Sequence, residues 1–523
     1  MKSYKIKRKT NRKIKRKANR KIKRKTNRKI KRKTKTQKAG KVIQAGSYGC
    51  VFSNPALKCK GEQNPRDNIS KLLTTKEAYN EWNENLKILP KINSIVNSNN
   101  YFLIANNEPC TPNRLTSADK EDFDEKCKIF SNISVNNINE KLESLKILHM
   151  PDGGVNISEI FTVNSLKYRF VDVNNALINL LKNGIIPMNS KELYNVYHLD
   201  IKSDNILFKN NNARLIDWGL AITGINNKLP NSLKKKNLYN NFILINNPYS
   251  SFMFCDTFNN FVMQRSNYKI PELYSDIEKY YRENMFIPGN GHTDTLILLF
   301  NQILKILNIS DLGEYGIISE SILFKIIINY LNHIVLKYTS NKDEPTKPFI
   351  FKYFEDVYSK NVDVWGFISS YILLLNFKSE TIKLKIINIF LDNFFSIKYA
   401  ADPIDINNLI NQLYNLFNDD IFVNKQKIRE KLKNIINMAI TNDLYNLENF
   451  NEEELEKYNK IDMEIFTNSS PIFNVSTNTE SKTSSPNIAA FIPSSLMNNP
   501  SYNKSFIDEI FPITKTSSKI ISK

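Results

Sequence analysis

A polar segment between two apolar runs constrains this chain more than any other feature. The polar residues follow a fixed series: His198, Asp200, Lys202, Asn205 and the triplet Asp217-Trp218-Gly219. Apolar residues at 206–208 and 215–216 flank the series. Short apolar runs beside polar turns are typical of strands, so the pattern predicts a loop bounded by strands.

The spacing of these polar residues suits the transfer of a phosphoryl group. Asp200 is placed to accept a hydroxyl proton, and Lys202 to neutralise charge on the transferring group. Asn205 and Asp217 offer the oxygen atoms that Mg²⁺ prefers. Each residue alone could instead cap a turn or face solvent, but their joint occurrence favours a catalytic site.

A glycine-containing segment near residue 46 is a second candidate binding element. It lies between two predicted strands, where small residues let backbone N–H groups approach phosphate oxygens. Any tight hairpin would have the same pattern, but Lys71 follows on the next predicted strand, and a strand Lys is seldom buried unless paired. The candidate cofactor-binding residues are Ile43, Gln44, Ala45, Gly46, Ser47, Tyr48, Gly49, Cys50, Val51, Lys71 and Glu81.

The proposed partner of Lys71 lies on an amphipathic helix that the apolar spacing predicts over residues 75–88. Glu77, Glu81 and Glu84 all lie on this helix. We choose Glu81 as the carboxylate that holds Lys71. The alternative for each of the three is a solvated helix face.

Positive charge is concentrated in an N-terminal arm. Residues 1–38 hold 22 of the 74 Lys and Arg residues and no Asp or Glu, which leaves 52 basic and 52 acidic residues elsewhere. Residues 3–34 form four octads, three of which read Asn-Arg-Lys-Ile-Lys-Arg-Lys followed by Thr or Ala. One Ile per octad cannot build a core, so we expect the arm to be disordered when free. It is either a solubilising tail or a nuclear-import or nucleic-acid-binding element.

The cysteines and the apolar runs bear on the location of the chain. Five widely spaced cysteines without a Cys/His cluster argue against a disulfide framework or a zinc site and favour a reducing intracellular compartment. No apolar run approaches the roughly 18 residues that span a bilayer, and no signal peptide is evident. We therefore expect no membrane partner.

Apolar spacing divides the rest of the chain into a strand-rich and a helix-rich region. Short apolar runs predict strands at 42–43, 51–52, 69–73, 101–104 and 145–150. Helical spacing follows over 171–181, 293–307, 317–338, 364–375, 381–397, 406–417 and 425–440. The predicted domains are the arm (1–38), a strand-rich lobe (39–152), a helix-rich lobe (153–465) with a helical insertion at about 256–354, and a disordered low-complexity tail (466–523).

With these motifs the chain resembles the eukaryotic-type protein kinase superfamily, and its diverged, Asn-, Ile- and Lys-rich sequence is similar to serine/threonine kinases of giant DNA viruses. The resemblance covers residues 41–221 and resumes at Val362-Asp363-Val364-Trp365-Gly366. It implies an α+β, two-lobed protein-kinase-like fold with a small strand-rich N-lobe and a large helical C-lobe. Such a protein binds Mg-ATP and phosphorylates protein hydroxyls, and Lys202 two residues after Asp200 is the serine/threonine pattern.

The resemblance also implies structural roles. His198 and the buried Asp363 would brace the catalytic loop, and residues 148–155 would join the lobes and hydrogen-bond an adenine edge. Three residues depart from the family pattern: Gln44 replaces a glycine, Trp218 a Phe, and Leu199 the Arg that reads a phosphorylated activation loop. The usual Ala-Pro-Glu is missing, with residues 247–250 as a candidate end of the activation segment. We therefore do not expect activation by loop phosphorylation.

Three functions compete at this point. The first is a serine/threonine kinase that uses ATP and Mg²⁺, with proteins that carry Ser or Thr acceptors as partners. The second is a pseudokinase or nucleotide-dependent scaffold, and the third is a nucleic-acid-binding structural protein acting through the arm. Every residue needed for transfer is present, which favours the kinase. The expected location is intracellular, in host cytoplasm or nucleus if the protein is viral, or in the virion.

Overall fold

The computed structural model describes residues 42–45, 49–52, 56–61, 68–105, 107–130, 132–162, 167–223, 275–279, 291–309, 317–339 and 352–441. These residues form a mixed α+β structure, with its strands before residue 224 and mainly helices after it. The predicted α+β class is confirmed. The predicted arm and low-complexity tail lie outside the described residues.

The strands are β1 (Val42–Ala45), β2 (Gly49–Phe52), β3 (Asn68–Thr74), β4 (Leu145–Pro151), β5 (Val155–Asn156), β6 (Val196–Tyr197), β7 (Ile206–Lys209), β8 (Asn212–Leu215) and β9 (Ile222–Thr223). The α-helices are α1 (Thr75–Asn93), α2 (Phe123–Lys126), α3 (Ile157–Thr162), α4 (Phe170–Leu180), α5 (Ile186–Asn189), α6 (Gly291–Leu307), α7 (Ile317–Thr339), α8 (Ser359–Ser369), α9 (Glu380–Asn393), α10 (Ile397–Ala401), α11 (Ile406–Tyr414) and α12 (Lys425–Thr441).

The chain forms two compact units whose boundaries fall within β3 and β4. The first comprises residues up to 72 and residues 110–147, and the second comprises residues 73–109 and those from 148 onward. Residues 73–109, which the sequence assigned to the strand-rich lobe, therefore group with the helix-rich unit. The reason is visible in α1, whose apolar residues Ile88 and Ile92 belong to the large core of the second unit.

The first unit is built on a four-stranded sheet with the order β1-β2-β3-β4. β1 and β2 pair antiparallel, with Ala45 opposite Cys50. Lys126, at the end of α2, donates to the Val42 carbonyl oxygen at 3.2 Å and so ties the helix to the edge strand. The apolar core of this unit contains Val42, Phe52, Leu57, Leu72, Phe123 and Ile147.

Two disulfide bonds crosslink the first unit, so the expectation of no disulfide framework is wrong. Cys50 is bonded to Cys127 and Cys59 to Cys110, across sequence separations of 77 and 51 residues. Wide spacing concealed these pairs, because the fold brings distant segments to a Cα–Cα distance of 5.7 Å. The cysteines therefore give no support for a reducing compartment, since disulfides persist in oxidising surroundings. Because the Cys50 side chain is in a disulfide bond, only the backbone of Cys50 could take part in the predicted phosphate binding.

We predict that the double substitution Cys50→Ala with Cys127→Ala lowers the free energy of unfolding of the first unit by about 2–5 kcal/mol, because the crosslink restricts the unfolded chain. Urea denaturation followed by circular dichroism without reducing agent measures this loss. Cys255→Ala is the matched control, since this fifth cysteine belongs to neither pair. Equal unfolding midpoints for the double variant and the control would contradict the prediction.

Helix α1 begins where the sequence predicted and continues beyond the predicted end. Thr74 caps it, with the hydroxyl oxygen accepting the Glu77 N–H at 3.3 Å. The helix continues past Ile88 to Asn93, because Ile92 prolongs the apolar stripe and is buried with Ile88. An apolar stripe that packs on a core stabilises a helix more than the propensity of its residues does.

Residues 101–104 do not form the predicted strand. Phe102 makes an isolated parallel bridge with Leu215. The Leu103 N–H donates to the Leu215 carbonyl oxygen at 2.9 Å, and the Leu215 N–H donates to the Tyr101 carbonyl oxygen at 2.8 Å. Tyr101 and Phe102 are buried and Leu103 and Ile104 are partly buried, but the run packs beside β8 as a short irregular segment. Apolar periodicity alone could not distinguish these two environments.

Strands β7 and β8 form a hairpin; β7 covers the apolar run at 206–208 that predicted a strand, whereas β8 ends at Leu215, where the second predicted run begins. They pair antiparallel from Ile206 opposite Leu215 up to the turn. The turn residues Asn210 and Asn211 have φ of 52° and 58°. Asn tolerates this left-handed backbone, and two such residues match the twist of a two-residue hairpin. β5 pairs with the other edge of β7.

The helices after residue 160 agree closely with the predicted pattern. The described part of the predicted helical insertion contains helices α6 and α7. The predicted helix over 364–375 instead begins earlier, at Ser359 in α8, and is followed by a 3₁₀ turn at Ile372–Asn376. One continuous apolar core contains residues from α1 and from α3 to α12. Among the described residues, no helix has the length and apolar character needed to cross a membrane.

Candidate functional site

The polar residues predicted at 198–205 converge on the Asp200 carboxylate. Lys202 Nζ lies 3.0 and 2.9 Å from the two carboxylate oxygens of Asp200. Asn205 Nδ2 donates to the Asp200 carbonyl oxygen at 2.8 Å and to Asp200 Oδ2 at 2.9 Å. The Asp200 side chain remains 21% exposed. A carboxylate that is fixed by two donors and still accessible can accept a proton from a bound hydroxyl.

Asn205 and Asp217 lie at the open end of the β7–β8 hairpin. The Ile216 N–H donates to the Asn205 carbonyl oxygen at 3.0 Å, which continues the hairpin pairing beyond the strands. Asp200 accepts from Asn205 Nδ2, and Asp217, which directly follows the Ile216 partner of Asn205, is exposed. An amide oxygen and a carboxylate are hard donors, so these two residues fit a Mg²⁺ ion.

Asp363 on α8 is fully buried and holds the same loop from within the core. The His198 N–H donates to Asp363 Oδ2 and the Leu199 N–H to Asp363 Oδ1, both at 2.8 Å. Asn189 Nδ2 donates to Oδ2 at 2.7 Å. Burial raises the pKa of the Asp363 carboxyl, while His198 and these hydrogen bonds oppose the rise. These contacts are the bracing that the sequence predicted for Asp363.

His198 is fully buried and makes structural contacts, as the sequence predicted. Its Nδ1 accepts the Asp200 N–H at 3.3 Å, and its Nε2 lies 3.0 Å from the Ile216 carbonyl oxygen. A backbone N–H needs an unprotonated ring nitrogen and a carbonyl needs an N–H, so these partners assign the Nε2–H tautomer. The imidazole therefore links the Asp200 loop to the end of β8.

Leu199 and Asp217 both have a left-handed backbone, with φ of 65° and 64°. For a residue with a Cβ this conformation costs about 1–2 kcal/mol. Strained residues of this kind cluster at functional sites, where the surroundings hold them in place. The Leu199 side chain is 1% exposed and belongs to the large apolar core.

Trp218 anchors the chain next to Asp217. Its Nε1–H donates to the Leu103 carbonyl oxygen at 3.0 Å. Its ring packs edge-on against Phe102 and His198, with centroid distances of 5.6 and 4.8 Å. A Phe at this position could keep the ring contacts but could not donate the hydrogen bond. The indole N–H of Trp218 therefore adds a polar anchor to its ring contacts.

Carboxylates dominate the electrostatics around Lys202. Burial by itself lowers the pKa of Lys202, but Asp200 outweighs it, with smaller contributions from Asp217 and Asp204, so the pKa lies above its usual value. Burial raises the pKa of Asp204, while its hydrogen bond to Ser158 and the charge of Lys202 act in the other direction. Lys202 is therefore held as a cation among three acidic residues.

Two buried polar residues that the sequence analysis missed support Asp204. Ser158 Oγ lies 2.5 Å from Asp204 Oδ1 and 2.8 Å from Asn156 Oδ1. Asn156 Oδ1 also accepts the Glu159 N–H at 2.7 Å and so caps the start of α3. The signal was present in the chain, because Asn followed three residues later by Glu is a common pattern at the N-terminus of a helix.

The segment that the sequence predicted to join the lobes packs tightly on β7. A Cβ added to Gly153 would lie 2.5 Å from Leu207 Cδ1. Gly154 has φ +93°, and a Cβ there would lie 2.3 Å from the Phe208 carbonyl oxygen. The Gly154 N–H donates to Asp152 Oδ1 at 2.8 Å. Glycine is therefore required at Gly154, while a side chain at Gly153 would need Leu207 and Leu103 to shift.

The predicted phosphate-binding residues are distributed over both units. Ile43, Gln44 and Ala45 lie in β1, and Gly49, Cys50 and Val51 in β2. Gly46, Ser47 and Tyr48 lie outside the described residues, as does the candidate activation-segment end at 247–250. Lys71 lies on β3 in the first unit, and Glu81 on α1 in the second.

The geometry of α1 favours Glu81 over Glu84 for an inward role. With about 100° per residue, Glu81 lies on the same face as the buried residues Ala78, Asn85 and Ile88. Glu84 is exposed and pairs with Lys87 at 2.6 Å. The pairing of Lys71 with Glu81 stays a prediction.

No protein-family model matches the chain. No curated protein matches it either. The fold and the site geometry are therefore the basis for a functional assignment.

We predict that Asp363→Asn destabilises the second unit by about 2–4 kcal/mol, because an amide group can accept only one of the two backbone N–H bonds of His198 and Leu199. Urea denaturation monitored by circular dichroism measures the loss. Asp356→Asn, at a partly exposed position shortly before α8, is the matched control. A loss of the same size in both variants would show that the bracing contacts are not its cause.

We predict that Trp218→Phe lowers the free energy of unfolding of the second unit by about 0.5–1.5 kcal/mol, the value of one hydrogen bond. Chemical denaturation gives this number. Phe102→Leu is the comparison, since it removes a ring contact of Trp218 but still allows the hydrogen bond from Trp218 to the Leu103 carbonyl oxygen. If Trp218→Phe unfolds at the wild-type midpoint, the indole N–H does not act as an anchor.

Proposed function

We propose that the chain is an ATP-dependent serine/threonine protein kinase with a two-lobed, kinase-like fold. One observation carries the proposal: Asp200 is held by Lys202 and Asn205 on a loop whose backbone is fixed by the buried Asp363. The Lys202 cation and the candidate metal ligand Asn205 thus both contact the accessible carboxylate of Asp200, which would accept the proton. Phosphoryl transfer depends on such positioning and charge stabilisation more than on covalent chemistry by the protein.

Each residue of the site takes one role in this proposal. Asp200 accepts the proton of the Ser or Thr hydroxyl, and Lys202 stabilises negative charge on the transferring group. Asn205 and Asp217 would hold Mg²⁺. When bound, the ion neutralises charge on the phosphates and orients them. Asp217 suits this role because its αL backbone is held between the hairpin and the anchored Trp218.

The remaining predicted residues would bind the nucleotide. Backbone N–H groups of residues 43–51 would contact phosphate oxygens, and Lys71 would reach the α and β phosphates if Glu81 holds it. Backbone groups of residues 148–155 would hydrogen-bond the adenine edge. The tight packing of Gly153 and Gly154 on β7 supports this part of the proposal, because it gives that backbone a fixed position.

The position of Leu199 supports a kinase that needs no activation-loop phosphate. A cation at this position would bind a phosphorylated residue, whereas the Leu199 side chain is buried in the apolar core. The Asp200 loop is instead fixed by Asp363, His198 and the backbone. The site can therefore be organised without a modification.

We predict that Asp200→Asn reduces phosphoryl transfer by at least about 10²-fold, because an amide cannot accept the hydroxyl proton. The measurement is incorporation of labelled γ-phosphate from Mg-ATP into a histone mixture by the full-length protein. Binding of Mg-ATP, followed by thermal shift, should remain, since the substitution keeps the size of the side chain.

Glu143→Gln is the matched control, because Glu143 is exposed and pairs only at the surface with Lys60. Equal labelling by wild type and Asp200→Asn would overturn the enzyme proposal. Nucleotide binding without labelling in the wild type would instead indicate the pseudokinase alternative. If removal of residues 1–38 abolished the biological function of the protein and Asp200→Asn preserved it, the nucleic-acid-binding alternative would be favoured.

A further inference from the structure

The two disulfide bonds of the first unit differ in how far solvent reaches them. Cys50 and Cys127 are 0% and 2% exposed, and both belong to the apolar core of that unit. Cys59 is 2% exposed, but its partner Cys110 is only partly buried. A reducing thiolate must reach a sulfur atom to break a disulfide, and exposed disulfides are the labile ones. A reductant therefore has access to the Cys59–Cys110 bond before the Cys50–Cys127 bond.

The backbone around the Cys59–Cys110 bond keeps its two segments together independently of the sulfur atoms. Two backbone hydrogen bonds, of 2.9 and 2.6 Å, join residues 58–60 to residues 111–113. The Cys110 N–H also donates to the Ile147 carbonyl oxygen of β4 at 3.1 Å, and its carbonyl oxygen accepts the Ile147 N–H at 2.8 Å. Thiols on segments that are paired in this way stay close after reduction, so the bond can form again.

The segment that carries Cys59 also holds the strand that carries Lys71. Two residues before Cys59, the Leu57 N–H donates to Ser70 Oγ at 2.8 Å. Ser70 is fully buried on β3 and directly precedes Lys71. A hydrogen bond to a buried hydroxyl is shielded from competing water. A continuous series of covalent and hydrogen bonds within the first unit thus joins the disulfide to Lys71.

We propose that the Cys59–Cys110 disulfide is a redox switch for nucleotide binding, with the oxidised protein as the binding form. This inference rests on the proposed kinase function and names the regulation of its nucleotide site. The disulfide restrains the segment that holds β3, and with it the position of Lys71. After reduction, nucleotide binding must first order this segment, and ordering a segment costs free energy. The reduced protein therefore binds Mg-ATP more weakly.

The switch opens by thiol–disulfide exchange with a dithiol reductant. One thiolate of the reductant forms a bond to Cys110 Sγ, and the bond between Cys110 and Cys59 breaks with its electron pair on Cys59 Sγ. The second thiolate then attacks the reductant sulfur of this mixed disulfide and releases the Cys110 thiolate. Both cysteine thiolates take up the protons that the reductant thiols lost. The reductant leaves as an internal disulfide, having supplied two electrons.

The test equilibrates the full-length protein at increasing ratios of reduced to oxidised dithiothreitol, with thiols located by alkylation and mass spectrometry. We expect alkylated Cys59 and Cys110 at ratios that leave Cys50 and Cys127 bonded. Over the same range the Kd for Mg-ATP should rise by about 5-fold or more, as is usual for coupled sites. Reduction of both pairs at the same ratio, or an unchanged Kd, would overturn the inference.

Thermodynamic linkage supplies a second measurement that needs no variant. If reduction weakens Mg-ATP binding by some factor, then Mg-ATP must oppose reduction by the same factor. At saturating Mg-ATP, the dithiothreitol ratio at which half of the Cys59–Cys110 bond is reduced should rise by the factor seen in Kd. A midpoint that does not move with Mg-ATP would contradict the coupling of the disulfide to the nucleotide site.

The double substitution Cys59→Ser with Cys110→Ser reproduces the reduced state. Its Kd for Mg-ATP should equal that of the reduced wild type and should not respond to dithiothreitol, while circular dichroism checks that it is folded. Cys255→Ser is the matched control, because this cysteine belongs to neither pair, and it should keep the wild-type response. A folded double variant with the Kd of the oxidised wild type would overturn the inference.

Histone labelling by the oxidised wild type reports the proposed function separately. Labelled histone and Mg-ATP binding with the same Kd before and after reduction would overturn the switch and leave the kinase proposal standing. Absence of Mg-ATP binding and of labelling in both redox states would overturn both proposals.

Discussion

The contact between one buried carboxylate and two consecutive backbone N–H groups organises the candidate site. Asp363 accepts from His198 and Leu199 and is itself held by Asn189. A buried carboxylate needs such donors, because burial without them costs several kcal/mol. The loop, in turn, needs the carboxylate to hold Leu199 in its left-handed backbone. Each partner thus depends on the other, and the orientation of Asp200 follows from their contact.

Three further contacts carry this order outward from Asp363. His198 links the loop to the Ile216 carbonyl group, and Ile216 pairs with Asn205 across the hairpin. Trp218 then fixes the next turn to Leu103. Proton acceptor and candidate metal ligands therefore belong to one connected network of backbone and side-chain bonds. In this network the side chains of Asp363, His198 and Trp218 bond to backbone groups.

Much of this arrangement could be predicted because its signals are local. The apolar runs that follow Asn205 and precede Asp217 predicted strands, although not their pairing as a hairpin, and the helical spacing after residue 160 predicted helices. What could not be predicted depends on distant contacts. Cys50 and Cys127 meet only in the folded unit, and Tyr101 and Phe102 pack beside β8 instead of joining the first sheet. Ser158 and Asn156 lay within reach of sequence reasoning, since their capping pattern is local, but their contact with Asp204 is not.

The two-residue turn at Asn210 and Asn211 has a consequence for how such chains can diverge. It fixes the number of residues between Asn205 and Asp217, because side chains alternate along a strand and a shift of one residue would turn them to the opposite face. Insertions within the hairpin would therefore separate or misdirect the two candidate metal ligands, whereas substitutions on its faces would not. Length is thus the property of this segment that selection can change least, and a search for distant relatives of the chain should hold this spacing constant while allowing the residues between to vary.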